Sequence, residues 1–136
     1  MTGRIEYLGE RTDLAAVHKL FGNAMIIGVS AVLADILTIA QASKVPGEDA
    51  IKLLGLLDLN AMVSGRGGNM AKGDFTPSFE LSMARKDVRL MLEACDGRPL
   101  AALPGIAARM DQLIAAGHGA KDPAVLAIDA LQRPGV

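Results

Sequence analysis

The segment from Asp13 to Ala42 constrains this chain more than any other. It reads DLAAVHKLFGNAMIIGVSAVLADILTIAQA, with no proline to break it. Such a run, rich in Ala, Leu, Ile and Val, predicts one helix of about 28–30 residues, on the order of 45 Å long. Average globular helices are far shorter, so this one is expected to span a whole domain or to join two. Its apolar residues fall on every side, which requires cover from other helices or from a second subunit. Ala24, Gly28, Ala31 and Ala34 offer small surfaces for close helix approach. Lys19 and Asn23, four residues apart, share one face near its start.

A bilayer is the competing environment. Leu20 to Ala40 carries no Lys or Arg and has the length of a membrane span. Asp35 lies inside it, however, and would cost ~2.5–3.5 kcal/mol near a bilayer centre. No Trp or Tyr belt and no basic cluster flanks the run. The expectation is therefore a helix covered by protein, with no membrane.

A length of 136 residues suits one domain with a sizeable core. The hydrophobic fraction is 51% and the aromatic fraction 3%, so aliphatic side chains at helical spacing must fill that core, which predicts an all-α fold. A net charge of −1 gives no electrostatic footprint for nucleic acid. The lone cysteine, Cys95, cannot form an internal disulfide and is expected to be buried. No secretory signal is visible in the first residues, and the expectation is a cytoplasmic location.

Residues 1–12 read as a lead-in, with a short extended stretch at Arg4–Leu8 broken by Gly9. Residues 13–136 read as the helical domain. Thr12 or Asp13 suits the N-cap of the long helix. Val45-Pro46-Gly47 is a stop and restart, with Pro46 at the first position of a second helix that buries Ile51, Leu54 and Leu57 and ends near Asp58. Asn60 caps one more short turn. Ser64 to Pro77 contains four glycines and reads as a loop, a place where function concentrates. Pro77 or Ser78 opens a further helix through Leu81, Ala84, Val88, Met91, Leu92 and Cys95, stopped by Gly97. Pro99 and Pro104 bracket a connector. Ile106, Met110, Leu113 and Ile114 mark another helix, ended by Gly117. Asp122-Pro123 is an N-cap followed by proline at the first helical position, opening a last helix to about Leu131.

Local chemistry singles out few residues. A lysine set among apolar neighbours is costly to desolvate unless it is paired or opens into a cleft. In a cleft, Lys19 beside the Asn23 amide could steady a developing alkoxide and pass a proton. On these residues alone, a snorkelling surface lysine accounts for Lys19 better. Arg85, Lys86 and Asp87 read as a solvated helix face, and Arg66 as a group that could hold a carboxylate or phosphate. The glycines around Arg66 do not form a dinucleotide fingerprint. His18 and His118 lack ligand-spaced partners, so no metal is expected.

Taken in order, the pieces do more. They are Gly9, Lys19 with Asn23, Gly65 to Gly68, GDFTPSF at 73–79, Lys86-Asp87, RPLAALP at 98–104 and GHGAKD at 117–122. This ordered set resembles the all-α C-terminal domain of the β-hydroxyacid dehydrogenases, a family that includes 3-hydroxyisobutyrate dehydrogenase and tartronate semialdehyde reductase and is related to 6-phosphogluconate dehydrogenase. The resemblance runs from about Gly9 to Leu131. It implies a helical bundle around one long helix, acting with a Rossmann domain that holds NAD or NADP.

By the same resemblance Lys19 is the catalytic general acid/base, and Asn23 binds the substrate. Lys86, Asp87 and Phe79 lie on the cofactor side, and the helical domain forms a homodimer or higher homo-oligomer. The substrate would be a small hydroxyacid or semialdehyde. Imine reductases share the architecture but usually lack a lysine here, so Lys19 favours alcohol chemistry. Gly22 departs from the second asparagine that many members carry before the one matched by Asn23. No G-x-G-x-x-G opens this sequence. The expectation is therefore a fragment, a truncated frame or one half of a split protein, inactive alone and with little affinity for NAD(P). The competing expectation is a helical dimerisation module without catalysis.

Overall fold

A computed structural model describes residues 12–131, and the Arg4–Leu8 lead-in with Gly9 lies outside them. Among the described residues every regular element is helical. The helices are α1 (Leu14–Ala42), α2 (Gly47–Leu54), α3 (Leu59–Lys72), α4 (Leu81–Ala94), α5 (Leu103–Leu113) and α6 (Ile128–Leu131). The chain is all-α and is led by one long helix.

The core sits in the C-terminal half. Leu81, Ala84 and Val88 of α4 pack against Leu103, Ala107, Met110 and Leu113 of α5, with Val125 closing the cluster. These positions recur every three or four residues, so one stripe of each helix faces the other. Cys95 is 1% exposed, buried as its type and surroundings predict. Gly97 at φ +75 ends the excursion from α4, a conformation that glycine adopts without a Cβ penalty. After α5 the chain makes a π-helical turn at Ile114–His118. Gly117, at φ +95, breaks the helical path inside it. Asp122 then caps a 3₁₀ turn at Pro123–Ala127, with Pro123 at its start.

The stretch Ser64–Pro77, expected as a loop, is corrected by α3, which carries Gly65, Gly67 and Gly68 in its interior. Three glycines cost about 2–3 kcal/mol relative to alanine. Capping and tertiary contacts offset this. The Asp58 carboxylate accepts from the Ala61 N–H at 3.0 Å, so Asp58 and not Asn60 is the cap. Gly73, at φ +71, closes the helix in a left-handed conformation. Arg66, in mid-helix, is tied to Asp122.

Smaller boundaries also move. α2 ends at Leu54 rather than near Asp58, and Pro46 is its N-cap rather than its first residue. α4 opens at Leu81, not at Pro77 or Ser78, because Asp122 draws Ser78 into a non-helical approach. Pro104 lies within the first turn of α5, where its missing N–H is no loss.

Candidate functional site

Two buried carboxylates tie separate elements of the fold together. Asp35 is 1% exposed, although it sits on an otherwise apolar helix. Its oxygens accept from the N–H groups of Ala101, Ala102 and Leu103 at 2.6, 2.9 and 2.8 Å. These are the orphan donors at the start of α5, so one side chain caps a helix 66 residues away in sequence and fastens α1 to the core. Burial pushes the Asp35 carboxyl up. The three donors outweigh burial and hold it below the ordinary value.

Asp122 is the second clamp. It accepts from the backbone N–H and hydroxyl of Ser78, from the Ala124 N–H and from the Arg66 guanidinium, the last at 2.6 Å. Burial again raises its carboxyl, and these donors bring it below the usual range. Arg66 thus holds a carboxylate, but one of its own chain. Its guanidinium carbon also lies 5.7 Å from the centre of the Phe79 ring, a cation–π distance. Nothing in a linear sequence pairs Asp35 with residues 101–103. Its one signal is a lone acid in an apolar helix.

Beyond Asp35 towards its N-terminus, α1 is an exposed arm. Leu20 and Phe21 are each 65% exposed and Ile27 is 68% exposed. By length and composition α1 could cross a membrane, and 6% of its most apolar window is buried within the chain. On one side the arm forms a groove of about 850 Å³ with the end of α2 and the start of α3. Phe21, Met25, Gly28, Val32, Leu57 and Met62 line it.

Lys19 and Asn23 are exposed on this arm, one turn apart. At 3.6 residues per turn they point about 180° away from the groove residues Phe21, Gly28 and Val32. The same outer face carries Ile26, Ile27 and Ser30, whose hydroxyl donates to the Ile26 carbonyl at 2.8 Å. Lys86 and Asp87 are exposed on α4, turned from its buried stripe. Phe79 is 44% exposed just before α4. The structure therefore presents all five residues to solvent. Among the described residues no hydrogen bond or ion pair joins Lys19 or Asn23 to Lys86 or Asp87. Lys19 stands about 24 Å along the helix from the Asp35 anchor. Among the described residues no three His, Cys, Asp or Glu side chains gather as a metal set.

No family model matches the chain. Over 73 residues it is 37% identical to a Drosophila melanogaster protein called cytokine-like nuclear factor N-PAC. The aligned stretch is 52% of this chain and 12% of that protein, so the similarity touches only a small part of the relative.

Proposed function

We propose that this chain is the helical domain of an NAD(P)-dependent 3-hydroxyacid dehydrogenase, completed by a separate dinucleotide-binding domain. The observation that carries the reading is the outer face of α1. A catalytic lysine that serves a cleft between two domains has to stand outside its own domain's core. Lys19 stands there with Asn23 one turn away and Ile26 and Ile27 beside them, apolar surface that still needs cover. The ordered motifs from Gly73 to Asp122 support the same reading by resemblance.

Bound nicotinamide would supply the hydride acceptor for oxidation and the donor for reduction. Lys19 takes the proton from the substrate hydroxyl oxygen in the oxidative direction and returns it in the reverse. The Asn23 amide orients that oxygen. Phe79, Lys86 and Asp87 fit a cofactor role in one respect, since all three are accessible and, among the described residues, neither Lys86 nor Asp87 is spent on an ion pair. The substrate class is a small hydroxyacid or its semialdehyde, in a cytoplasmic setting.

The test is complementation. The chain is fused to the Rossmann domain of a 3-hydroxyisobutyrate dehydrogenase and assayed for oxidation of 3-hydroxyacids. Activity should appear, and Lys19→Ala should lower kcat by about 100-fold or more. Activity that survives Lys19→Ala unchanged would overturn the assignment.

A further inference from the structure

One carboxylate holds Phe79 from two directions. Asp122 accepts from the Ser78 backbone N–H at 3.0 Å and from its hydroxyl at 2.9 Å, which fixes the chain one residue before the ring. The same carboxylate takes the Arg66 guanidinium at 2.6 Å, and that guanidinium lies over the ring itself. We infer that Arg66 is a positioning residue. Seated on Asp122, it sets the Phe79 ring as a flat platform for the nicotinamide end of the cofactor. The identity of that ligand rests on the dehydrogenase reading above, whereas the hold on the ring does not.

Three observations carry it. First, the segment that bears Phe79 is tied down on both sides. Asp122 donates its own N–H to the Phe75 carbonyl at 3.0 Å. The Leu81 N–H donates to the Lys121 carbonyl at 2.7 Å, and the Ser82 N–H to that of Gly119 at 3.0 Å. Backbone held in this way has little freedom left to lose when a ligand arrives. Second, Phe79 is not spent on the core. It is 44% exposed, while Leu81, two residues on, is fully buried in the α4–α5 cluster. An aromatic ring that is fixed at its base yet reaches solvent offers a stacking surface to another planar ring. It leads directly into α4, the helix that carries Lys86 and Asp87.

Third, Arg66 meets a stationary acceptor. The Asp122 side chain is 8% exposed and is itself fixed by Ser78 and Ala124. The guanidinium carbon is 5.7 Å from the ring centre, within cation–π range. A purely structural ion pair and a positioning one differ in what happens at the ring when the arginine is removed.

Fluorine NMR of the full chain reads that difference directly. Labelling with para-fluorophenylalanine marks the rings of Phe21, Phe75 and Phe79, and Phe79→Leu assigns the last. Arg66→Met should narrow the Phe79 signal and move it toward that of the free amino acid, leaving that of Phe21 in place. Arg66→Lys should keep the parent position, because Asp122 takes a single guanidinium nitrogen and an ammonium can also sit over a ring. Kinetics of the fusion to a Rossmann domain supply the second readout. Phe79→Leu should raise the cofactor KM about five- to tenfold. Arg66→Met should raise it about threefold, with kcat nearly unchanged in both, as for a group that binds without entering the chemistry. In the Phe79→Leu background Arg66→Met should add nothing, since it acts through the ring.

A Phe79 signal that stays in place in Arg66→Met overturns the inference. So does a KM effect of Arg66→Met that persists without the Phe79 ring, which would make Arg66 a direct ligand of the cofactor. An active, Lys19-dependent fusion whose cofactor KM ignores both substitutions overturns the platform and leaves the proposed function standing. An inactive parent fusion strikes the proposed function, and the nicotinamide with it, while the fluorine signal still decides whether Arg66 holds the ring.

Discussion

The C-terminal part of α1 buries a carboxylate and its N-terminal part leaves Phe21 65% exposed, although both share one helix and one apolar composition. At the C-terminal end Asp35 meets three backbone donors and Ala40 is buried. Beyond it, towards Lys19, the side chains are as apolar but, among the described residues, most of them stay exposed. Hydrophobicity alone therefore does not decide where α1 docks. A charged side chain with a matched set of donors does, because leaving those donors unmade would cost more than an aliphatic contact gives.

The largest break in this contrast should come from Asp35→Asn. An amide offers one acceptor where a carboxylate offers two, and it turns an NH₂ toward N–H donors. The expected loss is about 2–4 kcal/mol, read from the midpoint of urea unfolding by circular dichroism. Acid should act on the same contact. The Asp35 and Asp122 carboxyls both lie below their ordinary value of 3.8 in the folded chain. Their stabilisation is thus present in full above that value and fades as pH drops through the lowered folded values. Unfolding free energy should be level down to about pH 5 and fall below pH 4, with a shallower fall in Asp35→Asn. A parallel fall in both proteins would remove Asp35 as a source.

Arg66→Met comes next. It keeps the length of the side chain but leaves Asp122 with its Ser78 and Ala124 donors only. We expect about 1–2 kcal/mol lost by urea melt. Gly73→Ala should cost about 1 kcal/mol, since φ is +71 and the new Cβ would stand 3.4 Å from Leu131 Cδ1. Smallest is Ile27→Gln on the arm, within about 0.5 kcal/mol in dilute single chains. A loss comparable to that of Arg66→Met would mean that the arm has cover within the chain, and the contrast would fail.

Much of this architecture was legible. The proline-free run gave α1 to within a residue of its observed start, and Gly97, Gly117 and Asp122-Pro123 marked real turns. The glycine-rich stretch misled because intrinsic propensity is local. It cannot register that Asp58 caps α3, or that Arg66 reaches Asp122 from 56 residues away. Asp35 was visible as an anomaly in an apolar helix, but its partners were not. The candidate site was legible only as a set of residues. Lys19, Asn23, Phe79, Lys86 and Asp87 all reach solvent, and among the described residues no hydrogen bond or ion pair joins Lys19 or Asn23 to Lys86 or Asp87. The two faces of the arm became separable only once the groove fixed which side of α1 looks inward.

The composition of α3 also has a consequence in time. None of its side chains is fully buried, and its middle is three glycines held through Arg66. A segment of that kind opens as a unit while the α4–α5 pair stays closed. In hydrogen–deuterium exchange its amides from Gly65 to Met70 should trade protons about tenfold faster, or more, than those of Val88 and Met110. Each such opening would also release the wall that Met62 contributes to the groove. The inner face of α1 would then breathe at the rate of a glycine helix, whereas the outer face, with Lys19, would not.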